Sequence, residues 1–217
     1  SAERAAFGPK QTDPFGLYID GDRTNLSFAD IDGDGDMDAF LPQNPGGGPY
    51  LGGGFYSGEN VVYFENQGTA TAPVFVANGT NPSGLYGDGF YHASVTFVDI
   101  DNDGDLDAFW GGGNYGAYYL GGGTNHIGFQ ENIGTATAPN FSPLTTSQYN
   151  LTMYGAPTRI QFADMDNDGD QDAMVLANYN TGGGYYLGGG GGYADNFFYF
   201  ENIGTPGSAN FDAPLMN

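Results

Sequence analysis

An aspartate-rich segment of nine residues recurs three times and constrains the fold more than any other feature of the chain. Each copy has the pattern Asp-x-Asp-x-Asp-Gly-x-x-Asp, and the copies occupy residues 30–38, 99–107 and 164–172. The offsets between copies are 69 and 65 residues. Because self-similarity at a near-constant period is the signature of repeat architectures, residues 1–217 are predicted to form a single repeat domain.

A second block follows each aspartate segment in the same order. It has the pattern aromatic-x-Glu-Asn-x-Gly-Thr and begins at Tyr63, Phe129 and Tyr199. A phenylalanine comes six residues after each threonine, at Phe75, Phe141 and Phe211. These matches give approximate repeats of 7–75, 76–141 and 142–211.

Short apolar stretches predict about four antiparallel strands in each repeat. In the first repeat, Leu26 and Phe28 alternate with polar residues, and the apolar runs 39–41 and 61–64 follow. The fourth strand is predicted between the threonine and the phenylalanine, with Pro73 at its start, where a missing N–H is tolerated. No stretch has a helical apolar period. The predicted fold class is all-β, with three β-propeller-like blades.

The aspartate segments have the spacing of a metal-binding loop. Oxygen ligands at alternate positions of a tight loop converge on a hard cation, and the glycine permits the sharp turn. One Ca²⁺ ion per loop is therefore predicted, three in all. The predicted side-chain ligands are at the first, third, fifth and ninth positions: Asp30, Asp32, Asp34, Asp38, Asp99, Asp101, Asp103, Asp107, Asp164, Asp166, Asp168 and Asp172. The seventh position is predicted to bind through its backbone carbonyl, with a side chain that faces solvent or adds charge: Asp36, Asp105 and Asp170.

Two other interpretations of these loops are disfavoured. An EF-hand requires a glutamate at the twelfth position, where this chain has Leu41, Trp110 and Val175. A merely solvated acidic turn would repel itself, because two like charges 4 Å apart cost roughly 4 kcal/mol at an effective dielectric near 20. Mg²⁺ suits the loop less well than Ca²⁺, since it keeps several waters and strict octahedral geometry.

The charge balance excludes several classes of partner. The chain has 26 acidic and 4 basic side chains, which gives a net charge of −22, and 15 of the acidic residues lie in the three loops. Such a charge repels nucleic acid and anionic lipid, and no apolar run is long enough to insert into a membrane.

Cysteine is absent, so disulfides do not hold the fold. A start at Ser1, without methionine, suits a secreted product whose signal peptide has been removed, and a chain shortened at its N-terminus for another reason would look the same.

The aspartate loops and the Glu-Asn-x-Gly-Thr blocks resemble the FG-GAP or VCBS repeat of integrin α-subunit propellers and secreted bacterial proteins. The resemblance implies propeller blades, calcium in a structural role, and adhesion or ligand binding outside the cell. Propellers usually have four to eight blades, so three repeats are expected to belong to a longer protein, to assemble as copies into a ring, or to form an open array. The pairing of Phe7 and Phe15 near one terminus with Phe211 near the other suggests a unit completed across the termini.

Each repeat also carries a glycine-rich insert with the core Tyr-Leu-Gly-Gly-Gly, at 46–54, 111–123 and 182–190. Two interpretations of these inserts are open. They are flexible surface loops, or they are adaptable contact surfaces that bind sugars or a neighbouring subunit. No nucleophile elbow, phosphate loop or zinc motif is present, and Glu65, Glu131 and Glu201 occur once per repeat, so no enzyme activity is predicted.

The sequence favours an extracellular or cell-surface calcium-binding repeat protein with a structural or adhesive role. Its expected partners are further copies of itself, in a homo-oligomer, ring or fibre, and glycans or another surface protein. A carbohydrate-binding lectin and a non-catalytic module of a larger secreted enzyme are the alternatives.

Overall fold

A computed structural model describes residues 9–18, 25–43, 60–87, 90–114, 126–152, 156–180 and 193–216. The regular elements in these ranges are strands and three single-turn 3₁₀ segments, at Pro14–Gly16, Pro82–Gly84 and Gln148–Asn150. The predicted all-β fold class is confirmed. Among the described residues, no helix has the length and apolar character needed to cross a bilayer.

The strands form three antiparallel sheets, each built from four strands that are consecutive in the chain. The first sheet contains β1 (Ser27–Ala29), β2 (Asp38–Gln43), β3 (Asn60–Asn66) and β4 (Phe75–Thr80). The second contains β5 (Phe90–Val98), β6 (Asp107–Asn114), β7 (Gly128–Gln130) and β8 (Thr145–Thr146). The third contains β9 (Ala156–Ala163), β10 (Asp172–Asn180), β11 (Tyr193–Phe200) and β12 (Leu215–Met216).

The three sheets share one strand register. In the first sheet Ala39 of β2 lies opposite Phe28 of β1 and Phe64 of β3. The corresponding alanines of the other two sheets, Ala108 and Ala173, pair at the same positions of their neighbouring strands. The repeat recognised in the sequence is therefore a repeat of sheet geometry, and each aspartate loop joins the first strand of its sheet to the second.

The fourth strand differs from the prediction. It begins at Phe75 in the first sheet, where the prediction had it end, and so lies beyond the predicted repeat boundary. The preceding segment is a tight turn in which Thr69 and Ala72 bridge each other. The turn forms because the Asn66 side chain accepts hydrogen bonds from Gly68 N and Val74 N, which folds the backbone back on itself.

The glycine-rich inserts lie mostly outside the described residues, as does Phe7. The exception is the start of the second insert, because Gly111 and the residues up to Asn114 continue strand β6. This part of the predicted insert is sheet, and Gly111 pairs with Ser94 of β5.

Two of the three hydrophobic clusters among the described residues lie between successive sheets, and the third, formed by Ala39, Leu41, Phe64 and Phe75, belongs to the first sheet alone. We call the face of a sheet that packs against the preceding sheet its front face, and the opposite face its back face. Phe97 on the front of the second sheet meets Phe40 on the back of the first, with ring centroids 4.6 Å apart. Phe162 on the front of the third sheet meets Phe109 on the back of the second at the same 4.6 Å. The two sheet–sheet contacts therefore repeat each other.

The first strands of the sheets also bond to one another. Ser27 Oγ donates to Val95 O, and Thr96 Oγ1 donates to Ile160 O at 2.7 Å. Arg159 Nη2 reaches from the third sheet to Asn25 Oδ1, just before the first sheet, at 2.8 Å. The sheets are therefore arranged like blades, with β1, β5 and β9 on the inner side.

Candidate metal sites

The aspartate loops require a left-handed backbone at two positions. The fourth and sixth residues of every loop have positive φ: Gly33 (70°), Gly35 (96°), Asn102 (58°), Gly104 (97°), Asn167 (66°) and Gly169 (99°). Glycine and asparagine adopt this conformation more readily than other residues. The sequence predicted the turn only at the sixth position. The recurrence of Gly or Asn at the fourth position also indicates a left-handed backbone there.

The first aspartate of each loop ties the turn together. Asp30 Oδ2 accepts a hydrogen bond from Gly35 N at 3.1 Å. Asp99 and Asp164 accept the same bond from the sixth residue of their loops, at 3.1 and 3.2 Å. The fifth aspartate accepts from the N–H of the seventh, as Asp34 does from Asp36 at 3.1 Å. The carboxylates therefore satisfy the loop backbone with some oxygens and leave others available.

The first, third and fifth carboxylates converge in every loop. One oxygen from each lies within 4.8 Å of the others, in three groups: Asp30, Asp32 and Asp34; Asp99, Asp101 and Asp103; Asp164, Asp166 and Asp168. These nine residues are among the predicted side-chain ligands, and each group could hold a metal ion. The seventh and ninth aspartates stand outside the groups.

The seventh aspartates have buried side chains. Asp36, Asp105 and Asp170 are each less than a tenth exposed, so the first of the two predicted alternatives, a solvent-facing side chain, is wrong, and the second, added charge in the loop, stays a prediction. Their Oδ1 atoms have no hydrogen-bond partner. Burial, followed by the charge of the fifth carboxylate, raises the pKa of Asp105 and Asp170 to about 6 and raises that of Asp36 in the same direction. The side chain turns inward because the second strand starts two residues later and carries this part of the loop into the sheet.

The ninth aspartates connect the loop to the third strand. Asp38 Oδ1 accepts from Asn66 N at 2.8 Å, and its Oδ2 accepts from the Tyr63 hydroxyl at 3.0 Å. Burial raises the pKa of Asp38 to about 6. Each carboxylate oxygen has two lone pairs, so these hydrogen bonds leave Asp38 able to bind an ion as well. The predicted ligand role of the ninth aspartates stays a prediction.

The second loop lacks one of these bonds. Phe129 stands where the first sheet has Tyr63, and Asp107 Oδ2 is buried without a hydrogen-bond partner. Asn132 N still donates to Asp107 Oδ1 at 2.8 Å. Burial raises the pKa of Asp107 to about 7, higher than that of Asp38 at about 6.

The asparagine of the Glu-Asn-x-Gly-Thr block supports the site, a role that the sequence analysis missed. Asn66 donates its N–H to Asp38, while its Oδ1 accepts from Gly68 N at 3.1 Å and Val74 N at 2.9 Å. Asn132 and Asn202 make the same three bonds in the other sheets. The signal in the sequence was the recurrence of the block at a constant distance from the loop.

Unpartnered carboxylate oxygens test whether the loops suit a cation. Buried polar atoms in native proteins nearly always have partners, and an ionised oxygen without one is especially costly. Six such oxygens lie in the loops: Asp30 Oδ1, Asp36 Oδ1, Asp101 Oδ1, Asp105 Oδ1, Asp107 Oδ2 and Asp170 Oδ1. A donor set made only of oxygen fits a hard cation, so the residues present fit a metal ion in each loop.

Three sheets in a common register, each with a carboxylate-lined loop between its first two strands, define a repeat protein built of metal-loop blades. A family model described as an FG-GAP-like repeat matches residues 99–175, from the second loop to the strand after the third. The chain thus carries an FG-GAP-like repeat over these residues, which confirms the resemblance drawn from the sequence. Comparison with curated proteins yields no match.

Proposed function

We propose that this protein is an extracellular calcium-binding repeat protein with a structural or adhesive role, which assembles with further copies of itself. The observation that carries the calcium assignment is the unpartnered, buried Oδ1 of the seventh aspartate in all three loops. Together with the convergent first, third and fifth carboxylates, it leaves each loop with excess negative charge directed inward. A divalent cation is the simplest group that compensates this charge.

Calcium fits better than magnesium because of the number and arrangement of the oxygens. Ca²⁺ takes 6–8 oxygen ligands in flexible geometry, whereas Mg²⁺ prefers to keep several waters. Each loop offers five carboxylates within nine residues, which suits the larger ion. Free calcium is plentiful outside cells, and this supports the extracellular assignment.

The bound ion would have a structural role through the ninth aspartate. In the first sheet Asp38 lies between the loop and Asn66, and Asn66 in turn closes the turn before β4. An ion that holds the loop therefore also holds the end of β3 and the turn that follows it. The same linkage occurs in each sheet, so calcium would stabilise all three.

The proposal assigns no catalysis to this chain. The FG-GAP-like repeat is typically non-catalytic, and no catalytic family matches. Glu65, the block's glutamate, accepts side-chain hydrogen bonds from Gln67 at 3.1 Å and Asn78 at 3.0 Å in the same part of the first sheet. These contacts support a structural role for it.

Calorimetric titration of the metal-free protein with Ca²⁺ tests the proposal. Three ions per chain are expected, with weaker binding of Mg²⁺ in a parallel titration. Asp34→Asn, Asp103→Asn and Asp168→Asn should each remove or weaken one site, while Asp13→Asn, outside the loops, should leave all three. Absence of binding at millimolar Ca²⁺ would show that the loops are not calcium sites.

A further inference from the structure

The front face of the first sheet is open at positions that the other sheets bury. Leu26 is 48% exposed, whereas its equivalents Val95 and Ile160 are 0% and 1% exposed. Phe28 is also exposed, while Phe97 and Phe162 pack into the cores between sheets. The exposed residues of this face, which we call the open front, are Phe15, Tyr18, Leu26, Phe28 and Met37.

The back face of the third sheet is open in the same way. Met165 is 58% exposed, whereas Ile31 and Ile100, its equivalents, are 6% and 2% exposed. Phe197 is also exposed, although Val61 and Ile127 at the same position of the other sheets are buried. We call the surface formed by Met165, Met174, Phe197 and Tyr199 the open back.

The third aspartate loop lies beside the open back and is less covered than the others. All of Asp164, Asp166 and Asp168 are exposed, while the first and third aspartates of the other loops are half-buried. The turn of the following sheet covers each of those two loops. A Cβ added to Gly33 in the first loop would lie 3.1 Å from Ala136 O in the turn of the second sheet. A Cβ added to Gly207 in the turn of the third sheet would lie 3.4 Å from Asp101 O in the second loop. In this chain the described residues supply no such turn after the third loop.

We propose that the open back of one copy packs against the open front of a second copy, and that two copies close head to tail into a ring of six sheets. The two sheet–sheet contacts within the chain are the template, because each joins a back face to the next front face in the same way. β-Propellers typically have about four to eight blades, and six is the only multiple of three in that range. A two-fold ring then covers both open faces of each copy at once.

The sheet–sheet contacts within one chain predict which residues of the two copies pack against each other. Phe28 should occupy the place against Met174 of the second copy that Phe97 occupies against Phe40. Phe15 should pack on Tyr199 of the second copy, as Tyr149 packs edge-on against Phe129 at 5.2 Å. The turn at Ala70 and Thr71 should cover the second copy's third aspartate loop.

Calcium should control this assembly, a step that rests on the proposed function. Each copy carries a net charge of −22, which opposes association, and three divalent ions reduce it to −16. The third loop would be completed only by the turn of the second copy, so assembly and the third ion should strengthen each other. Because such coupling is reciprocal, Asp166→Asn should weaken dimerisation by about tenfold, whereas Glu131→Gln, at an exposed carboxylate of the middle repeat outside the loops, should not.

Light scattering after size-exclusion chromatography tests the ring. In Ca²⁺ the mass should be twice the 22.8 kDa of one chain, and it should fall to that of one chain in excess chelator. A monomer at all concentrations in Ca²⁺, or a series of ever larger masses, would overturn the closed two-copy ring. The number of calcium ions bound per chain is measured on the same sample. A monomer that binds three ions would contradict the ring but not the proposed function. A chain that binds no calcium ions would contradict the proposed function.

Two variants test the head-to-tail arrangement. Phe28→Asp on the open front and Phe197→Asp on the open back should each give a folded monomer, since both side chains are already exposed in the single chain. A mixture of the two should recover a heterodimer, because one intact back and one intact front remain. Ile133→Asp, at an exposed residue of the middle repeat away from both faces, should leave the dimer intact. Failure of the mixture to associate, or dimerisation by either variant alone, would contradict the arrangement.

Discussion

Asn66 donates its backbone N–H to Asp38 Oδ1 at 2.8 Å, and this bond joins the end of the third strand to the last carboxylate of the aspartate loop. The two residues are 28 positions apart in the chain, yet Asn132 with Asp107 and Asn202 with Asp172 form the same pair at the same distance. The metal loop is therefore connected to the rest of its sheet by a buried hydrogen bond that recurs in every repeat.

Replacement of the asparagine should destabilise its sheet even when calcium is present. Asn66→Ala removes the acceptor for Gly68 N and Val74 N, which are part-buried donors, so the cost lies below the sum of about 1–3 kcal/mol for each fully buried unsatisfied donor. A loss of roughly 1–3 kcal/mol in the free energy of unfolding is expected in urea denaturation. Gln67→Ala, next to it but exposed, is the control and should change stability by less than about 0.5 kcal/mol. Equal losses in the two variants would contradict the role given to Asn66.

The difference between Tyr63 and Phe129 predicts opposite effects for reciprocal substitutions. Tyr63→Phe removes the hydroxyl that donates to Asp38 and should destabilise the metal-free protein by about 1–2 kcal/mol. Phe129→Tyr offers a donor to the unpartnered Asp107 Oδ2 and should stabilise it by about 1 kcal/mol. Thermal unfolding of both variants in chelator provides the measurement. Destabilisation by Phe129→Tyr would mean that the hydroxyl does not reach the carboxylate.

The stability of the calcium-free protein should fall as pH rises. Burial raises the pKa of Asp38, Asp105 and Asp170 to about 6 and that of Asp107 to about 7, from an ordinary value of 3.8. Between these values the folded chain binds protons that the unfolded chain has released, so the free energy of unfolding decreases with increasing pH. The melting temperature in chelator should therefore be higher near pH 5 than near pH 7.5.

Calcium should oppose this trend, because protons and calcium compete for the same carboxylates. The rise in melting temperature on addition of Ca²⁺ should be larger near pH 7.5 than near pH 5. A calcium effect that does not depend on pH would argue against binding by the buried aspartates.

The seventh aspartate should contribute to calcium stabilisation through its side chain. Asp36→Asn keeps the shape of the side chain but removes a buried charge. In chelator, the variant should therefore melt at a higher temperature than the unsubstituted protein. In calcium the variant should gain less, since a charged ligand is lost. Asp13→Asn, at an exposed carboxylate outside the loops, is the matched control and should change neither temperature. If Asp36→Asn behaves like this control, the seventh position binds through its backbone alone.

The family resemblance, the fold class and the groups of convergent carboxylates could be predicted because they depend on local patterns. The nine-residue loops contain their own turn residues and their own oxygens, so Asp30, Asp32 and Asp34 converge whatever packs around them. The fourth strand was placed wrongly because the Asn66 side chain, which closes the turn before Phe75, competes with strand pairing in a way that residue type alone does not reveal.

The sequence by itself determined three equivalent repeats, the first three strands of each and their acidic loops, because each follows from the order of residues within a short stretch. The tertiary structure alone decided which equivalent residues differ. Phe28, Phe97 and Phe162 are the same residue at the same repeat position, yet Phe28 is exposed and the other two pack between sheets. The physical reason is that burial depends on the neighbouring sheet, and the described residues place a sheet before the second and third phenylalanines but not before the first.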